Sequence, residues 1–215
     1  MGDEHTKPDI SSSVLITIDT QCDTLDGQPL EIPGTTKALP VMKAILDEFR
    51  VLNYPIIHIV RIYKSDGSNV DLCRRAAVES GAPMLLEGTT GCELARDLFD
   101  KRIELNNELL LSGGVQEISK REVIIYKPRW GAFYKTPIDA YLRKLGVTTL
   151  IFTGCNYPNC PRTSIYEASE RDYRIVLVTD AISGLYEKGK NEMKNIGVNI
   201  MSSKSLIGEL RKVSG

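Results

Sequence analysis

Two patterns of apolar and polar positions alternate along the chain. Short apolar runs, typical of buried strands, are separated by segments in which apolar residues recur every three or four positions, as in amphipathic helices. The runs predict six strands, at 13–18, 55–60, 123–126, 149–153, 175–179 and 198–201. The helical spacing predicts helices at 37–52, 70–80, 93–99, 136–145, 162–171, 187–196 and 204–212. This alternation predicts an α/β fold, a three-layer α/β/α arrangement around a mainly parallel six-stranded sheet.

One segment, 100–122, does not follow this alternation. It is long and polar, and it carries Asn106-Asn107 and Gly113-Gly114 on either side of an apolar Leu109–Leu111 run. Long segments without secondary structure are unusual inside compact domains, so a hairpin, a lid and an oligomer contact all remain open for it. We interpret residues 1–215 as one domain, with a polar N-terminal tail at 1–12 and an elaboration at 100–122.

Composition narrows the class of protein and its location. The chain has 215 residues, of which 42% are hydrophobic and 26% charged, as in ordinary globular domains. Its net charge of −1 gives no reason to expect a nucleic acid or an anionic membrane as partner. No apolar run is long enough to cross a membrane or to form a signal peptide, and the five cysteines are an odd number. These features predict a cytoplasmic protein with free thiols.

The stretch between Gly154 and Pro161 carries the strongest chemical signal. It connects the apolar run 149–153 to a helix, and Cys160 lies where that helix begins, with Pro161 at the first helical position. Backbone N–H groups and the helix dipole would then face the sulfur and lower the pKa of the thiol. Cys160 is therefore the candidate nucleophile, the alternative being a buried cysteine that only packs. Packing is the favoured interpretation for Cys155.

Two further polar residues end apolar strands. Asp19 follows the first predicted strand and Lys127 follows the third. Each fits a turn cap or a solvated strand end when taken alone. Because parallel strands end at the same edge of a sheet, however, a carboxylate, an ammonium and the Cys160 thiol are expected to converge there. Trp130 and Phe133 follow Lys127 closely and are candidate walls of a pocket, with Phe133 equally suited to the core.

Several segments together resemble the isochorismatase-like cysteine hydrolases. This family includes nicotinamidases, N-carbamoylsarcosine amidase, ureidoacrylate amidohydrolases, biuret hydrolase and streptothricin hydrolase. The resemblance covers about residues 14–202 and implies the Rossmann-like fold of these hydrolases. The matching segments are Leu15 to Gln21, Lys127 to Phe133, Thr136 to Asp139, Leu145 to Val147, Gly154 to Thr163 and Asp180-Ala181.

The resemblance also implies roles for individual residues. Cys160 would attack a carbonyl carbon, Asp19 would take the thiol proton and pass one to the leaving amine, and Lys127 would orient the pair. A cis peptide between Cys155 and Asn156 would direct the Asn156 N–H, together with that of Cys160, at the oxyanion of the intermediate. Water would release the acyl group, so no cofactor is expected.

Departures from the family pattern bear on metal and substrate. The nicotinamidases carry a metal site built from an Asp and several histidines, whereas this chain has only His5 and His58, so we expect no metal. The sequence after Gly154 is most similar to the streptothricin-hydrolase-like branch, whose members open a lactam. Whether His58 or Arg162 touches the substrate is open. The predicted substrate-binding residues are Gln21, Trp130, Phe133, Asn156 and Tyr157.

These features favour a cysteine hydrolase that cleaves a C–N bond of a small amide, ureide or lactam. The alternatives are an isochorismatase-type vinyl-ether hydrolase, a non-catalytic assembly domain of the same fold, and a redox protein using Cys155 and Cys160. The Cys155–Cys160 spacing is longer than that of usual redox pairs. Because relatives are commonly oligomers, we expect a homo-dimer or homo-tetramer. The sequence does not specify the substrate.

Overall fold

A seven-stranded sheet forms the centre of the protein. The computed structural model describes residues 3–214, with the side chain of residue 214 left out. The strands are β1 (Ser13–Ile18), β2 (Ile56–Val60), β3 (Val115–Ser119), β4 (Glu122–Tyr126), β5 (Thr149–Gly154), β6 (Arg174–Ile182) and β7 (Asn199–Met201). The helices are α1 (Thr35–Val51), α2 (Leu72–Glu79), α3 (Asn107–Leu111), α4 (Ile138–Leu145), α5 (Cys160–Ser169), α6 (Glu187–Asn195) and α7 (Ser203–Ser214).

The strands follow the order β3-β4-β2-β1-β5-β6-β7. Every neighbouring pair is parallel except β3 and β4, which form an antiparallel hairpin at one edge. The predicted α/β architecture is thus confirmed, but the sheet has seven strands rather than six. The additional strand, β3, lies in the segment 100–122, for which a hairpin was one of the open alternatives. Its residues are half-buried or exposed and it contains a bulge, so the sequence shows no buried apolar run there.

Helices cover both faces of the sheet. Along β1, successive side chains point to opposite faces, so that Val14 and Ile16 pack beneath α4 and α5, whereas Leu15 packs beneath α1 and α7. Because both faces are buried, the central strands are apolar at almost every position rather than alternating. Such a sheet exposes only the ends of its strands, and the polar residues that follow the carboxyl ends are discussed below.

Two local predictions need correction. The segment predicted as a helix at 93–99 contains only a short 3₁₀ turn at Arg96–Leu98, and another such turn, Thr90–Cys92, precedes it. The predicted N-terminal tail, as far as the described residues show, is packed against the domain: Ile10 is buried, and the Asp9 N–H donates to Thr149 Oγ1 at 2.9 Å. Within residues 3–214, no helix is both long and apolar enough to cross a membrane.

Candidate active site

Four adjacent strands bring polar residues to one edge of the sheet. In the order β4, β2, β1 and β5, their carboxyl ends lead into Lys127, Arg61, Asp19 and the loop to Cys160. The ammonium Nζ of Lys127 lies 2.8 Å from Asp19 Oδ2 and donates to the Arg129 carbonyl at 3.2 Å. Lys127 is 0% exposed, Asp19 6% and Cys160 5%, so the charged pair and the thiol are all removed from bulk water.

The backbone of Asp19 is fixed in an uncommon conformation. Its φ of 49° lies in the left-handed region, which Asp tolerates better than most residues. The Asp19 N–H donates to the Ile59 carbonyl of β2 at 2.9 Å, and its carbonyl accepts from the Cys155 thiol at 3.0 Å. This conformation turns the chain away from β1 at the point where the carboxylate is needed, and bonds to both neighbouring strand ends hold it there.

Gly154 brings the end of β5 against the end of β1. Its φ is +112°, and a Cβ at this position would overlap the backbone nitrogen and carbonyl oxygen of Ile18. Only glycine permits both the conformation and the close approach. Any side chain here would separate the two strands and move the loop that leads to Cys160 away from Asp19.

The loop between β5 and α5 presents two free amides. Neither the Asn156 N–H nor the Cys160 N–H donates to an acceptor among residues 3–214, whereas Cys155 N–H donates to the Ile18 carbonyl at 2.9 Å and Tyr157 N–H to the Ser183 carbonyl at 2.8 Å. The predicted cis peptide between Cys155 and Asn156 is wrong: this bond is trans, and the described residues contain no cis peptide. With these flanking bonds formed, the loop closes in the trans form, which a non-proline peptide favours by about 3 kcal/mol.

The electrostatic setting of Cys160 also differs from the prediction. Burial raises the pKa of the Cys160 thiol to about 11, and the charge of Asp19 acts in the same direction, against the smaller lowering by Lys127 and Arg61. The expected lowering at the helix start is thus outweighed, because the sulfur is almost fully removed from water. The thiol is protonated at neutral pH and requires a base. Asp19 Oδ1 is buried and has no hydrogen-bond partner among the described residues, so this oxygen can accept the proton.

The loop that follows β4 is bound to the helix that begins at Cys160. The Ser164 hydroxyl donates to the Cys160 carbonyl at 2.7 Å and accepts from the Ala132 N–H at 3.0 Å. One turn further along α5, Glu167 Oε2 accepts from the Phe133 N–H at 2.8 Å. These hydrogen bonds fix the segment after Lys127 against the first turns of α5.

Arg61 is a site residue that the sequence reasoning missed. It directly follows β2, between the strands that end in Asp19 and Lys127, and it is only 1% exposed. Its Nη1 donates to Asp71 Oδ2 at 2.9 Å and to the Pro128 carbonyl at 2.8 Å. The sequence carries the same pattern for Arg61 as for Asp19 and Lys127, since Arg61 also directly follows an apolar strand.

Arg61 belongs to a group that we call the arginine cluster, formed by Arg61, Tyr63, Asp71, Arg74 and Trp130. The Tyr63 hydroxyl donates to Asp71 Oδ2 at 2.7 Å and accepts from Arg74 Nη1 at 3.0 Å. The guanidinium carbons of Arg61 and Arg74 lie 5.9 and 5.2 Å from the centre of the Trp130 ring. Trp130, predicted as a pocket wall, thus lies against two cations, within the usual range for cation–π contacts.

Gln21 is predicted to bind substrate, but both polar atoms of its side chain are already hydrogen-bonded within the protein. Its Nε2 donates to the carbonyls of Arg61 at 2.8 Å and Cys92 at 2.5 Å, and its Oε1 accepts from the Arg61 N–H at 2.8 Å. The side chain is fully buried. Gln21 therefore acts on the site through Arg61, whose backbone it holds at both its N–H and its carbonyl.

Two other predicted substrate-binding residues belong to the core. Tyr157 is fully buried and donates its hydroxyl to the Gly189 carbonyl at 2.9 Å. Phe133 is 6% exposed and packs against Tyr173, with ring centres 6.2 Å apart. For Phe133 the structure thus supports the core alternative.

Asn156 and Arg162 are both half-buried, unlike the buried Asp19, Lys127 and Cys160. The Asn156 side chain is half-buried and accepts from Asn159 Nδ2 at 3.1 Å. Arg162 donates to Glu192 at 2.6 Å and to the Tyr186 hydroxyl at 2.6 Å, which leaves it engaged at the protein surface. Of the two, Asn156 keeps a connection to the site through its free backbone amide.

His58 does not line the site. Its Nδ1 bonds to the Thr17 hydroxyl at 2.8 Å and its Nε2 to Glu122 Oε1 at 2.9 Å, and Arg50 binds the same carboxylate. The ring lies in the core on the opposite face from α5 and has both nitrogens occupied. Among residues 3–214, no three His, Cys, Asp or Glu side chains are grouped closely enough to hold a metal ion.

Comparison with known proteins identifies the family. Residues 13–205 match the isochorismatase domain. The chain belongs to the isochorismatase family. An isochorismatase family protein of Desulfovibrio vulgaris has a similar structure, with a TM-score of 0.79 and 30% identity over 93% of this chain and 98% of that one. The recognition of the family and of its fold from the sequence is thereby confirmed.

Two relatives have names that describe a function. A protein of Arabidopsis thaliana named "probable inactive nicotinamidase" is 28% identical over 87% of this chain and 90% of its own length. The ureidoacrylate amidohydrolase RutB of Methylorubrum extorquens is 27% identical over 80% of this chain and 70% of its own length. One of these relatives is named as a hydrolase and the other as inactive, so the names alone do not decide whether this chain is catalytic. The geometry of its site has to decide this.

Proposed function

We propose that this member of the isochorismatase family is a cysteine hydrolase that cleaves a C–N bond of a small amide, ureide or lactam. One observation carries the proposal: the buried Asp19–Lys127 pair lies beside the buried Cys160 thiol, with Asp19 Oδ1 left without a partner. A base, its orienting cation and a nucleophile are the parts that covalent acyl transfer requires. The amidohydrolase relative is consistent with this chemistry.

In the first half of the reaction, Cys160 Sγ attacks the substrate carbonyl carbon. Because the pKa of the thiol is raised to about 11, the proton leaves the sulfur only as the C–S bond forms, and Asp19 Oδ1 accepts it. The carbonyl π electrons move to the oxygen, where the free N–H groups of Asn156 and Cys160 stabilise the negative charge. Lys127 holds the other carboxylate oxygen, Oδ2, through its 2.8 Å contact, which leaves Oδ1 free to take the proton.

In the second half, the tetrahedral intermediate collapses. Asp19 returns the proton to the leaving nitrogen, the C–N bond breaks, and the acyl group remains on Cys160 as a thioester. A water molecule then gives a proton to Asp19 and attacks the thioester carbonyl, and the departing sulfur takes that proton back. These steps restore the protonated thiol and the carboxylate, with one water consumed for each bond cleaved.

The rival functions predict a different site. A redox pair is disfavoured because Cys155 is 1% exposed, donates to the Asp19 carbonyl, and has its pKa raised by burial to about 12. A non-catalytic assembly domain has no need of an unpartnered buried carboxylate oxygen beside a buried thiol, which lowers stability without a compensating contact. A vinyl-ether hydrolase would not require the thiol of Cys160.

The test is ammonia release from a panel of amides, ureides and lactams, with ring opening followed by mass spectrometry. Wild type should turn over part of the panel and form an acyl adduct on Cys160, whereas Cys160→Ala should lose all activity. Cys73→Ala removes an exposed free thiol instead and should leave activity unchanged. Activity that survives in Cys160→Ala would contradict the cysteine mechanism, and turnover of a vinyl ether by that variant would establish the isochorismatase alternative. The absence of both turnover and adducts would favour a non-catalytic role.

We further propose that the protein works in the cytoplasm as a homo-dimer or homo-tetramer. All five cysteines are free thiols in the structure, as expected in a reducing compartment. Light scattering after size-exclusion chromatography measures the number of chains, and a monomer at micromolar concentration would contradict the assembly.

A further inference from the structure

Guanidinium groups elsewhere in this protein show how they bind carboxylates. Three arginines each present the edge formed by Nε and Nη2 to a glutamate and make two parallel hydrogen bonds, at 2.6 to 3.1 Å. This two-point contact matches the planar geometry of both groups and is stronger than a single bond. The pairs are Arg50–Glu122, Arg102–Glu93 and Arg211–Glu48.

Arg61 leaves the same edge without a partner. Its two hydrogen bonds, to Asp71 and to the Pro128 carbonyl, both come from Nη1. Nε and Nη2 are buried and have no acceptor among the described residues. Buried donors of a cation are costly when unpaired, so an arginine fixed in this way is prepared for an acceptor that arrives from outside the chain.

Arg61 lies within electrostatic reach of the reacting groups. Burial alone would lower the pKa of Arg61, but the negative charges of Asp19 and Asp71 help to hold it above its ordinary value. Arg61 also occupies the strand end between those of Asp19 and Lys127, and the loop after Lys127 supplies the carbonyl that holds Nη1. A group bound at the free edge of Arg61 would therefore lie at the same edge of the sheet as Asp19, Lys127 and the loop to Cys160.

The arginine cluster carries a net positive charge. Its two guanidinium groups, those of Arg61 and Arg74, stand against one carboxylate, that of Asp71. An added carboxylate would balance this charge, and desolvated cations stabilise an added anion more than exposed ones do.

We propose that the Nε–Nη2 edge of Arg61 binds a carboxylate of the substrate, so that the substrate is a small amido or ureido acid rather than a neutral amide. This inference rests on the proposed function and names its substrate class. Asp71 fixes the guanidinium, and Gln21 fixes the backbone of Arg61, so both are positioning residues. The ring of Trp130, which lies against the guanidinium, covers the carbon chain between carboxylate and ureide.

The test measures binding to the Cys160→Ala variant by calorimetry. The probes are N-carbamoylglycine and N-carbamoyl-β-alanine, which place a carboxylate at two distances from the ureide, and N-isobutylurea, in which an isopropyl group replaces the carboxylate. At least one acid should bind tenfold or more tightly than the neutral urea. Adding Arg61→Gln should abolish this difference, whereas adding Arg143→Gln, which removes an exposed arginine, should preserve it. Arg61→Lys keeps the charge without the two-point edge and should reduce the preference at least fivefold, which serves if the glutamine variant does not fold.

Equal binding of acids and neutral urea, no binding of either acid at millimolar concentration, or an acid preference that persists in the Arg61 variants would each overturn the inference. The proposed function fails separately, if wild type binds the acids through Arg61 yet releases no ammonia and forms no adduct on Cys160. In the enzyme that retains Cys160, and with an acid that it cleaves, Arg61→Gln should lower kcat/KM mainly through a higher KM, because the carboxylate lies away from the bond that breaks.

Discussion

The effects of Asp19 and Lys127 on stability should be strongly coupled, because the loss of either partner leaves the other charge buried. The two charged groups are 2.8 Å apart, with side chains 9% and 0% exposed, so water cannot replace either partner. Lys127→Met leaves the buried Asp19 carboxylate without its cation at 2.8 Å, and breaking one half of such a pair costs about 3–5 kcal/mol. Asp19→Asn keeps a residue that tolerates the left-handed backbone at φ 49°, but it leaves the Lys127 ammonium unpaired.

The double variant separates stability from chemistry. Removing both charges leaves neither half of the pair buried alone, so Asp19→Asn/Lys127→Met should be about 2 kcal/mol or more stable than the sum of the two single losses predicts. All three variants should nevertheless lack activity, because the base, its orienting cation or both are missing. Urea unfolding followed by fluorescence measures the free energies, and ammonia release measures the activity.

Two outcomes would refute this reasoning. If the losses in the double variant are simply additive, the two groups do not depend on each other in the folded state. If Lys127→Met costs less than about 1 kcal/mol, the pair behaves like an exposed one, and the buried geometry at the strand ends does not describe the protein in solution.

Three further predictions concern pH, backbone and thiol reactivity. Burial lowers the pKa of His58, and hydrogen bonds hold the pKa of Glu122 at about 2 despite burial, so the unfolded chain binds more protons than the folded one as the pH falls. The melting temperature should therefore fall below pH 6.5 and again below pH 4.5, and the second fall should be less steep in Glu122→Gln. A melting temperature independent of pH would contradict this. Gly154→Ala should destabilise by about 2 kcal/mol or more and abolish activity, whereas Gly208→Ala, where a Cβ meets nothing within 4 Å, should be neutral or slightly stabilising in urea unfolding. Without substrate, Cys160 should react with iodoacetamide at pH 8 at least about tenfold more slowly than glutathione, since its pKa is about 11; an equal rate by mass spectrometry would show an exposed or activated thiol.

Local sequence patterns were sufficient for much of the fold. Apolar runs locate the central strands because these strands are buried on both faces, and the start of α5 at Cys160 follows from Pro161 and the preceding turn. The strand-end rule selected Asp19 and Lys127, which the structure brings into contact. The same patterns failed for β3, whose half-exposed residues carry no apolar run, and at 93–99, where apolar spacing accompanies only a 3₁₀ turn at Arg96–Leu98.

What the sequence determined by itself was therefore the order of strands and helices and which polar residues follow the strand ends, since both depend on neighbours along the chain. Only the tertiary structure decided what those residues can do. The pKa of Cys160 is raised because distant segments exclude water from the sulfur, and Gln21 is occupied because the backbones of Arg61 and Cys92 meet its amide. Solvent exclusion and hydrogen-bond partners arise from residues far apart in sequence, and no local pattern records them.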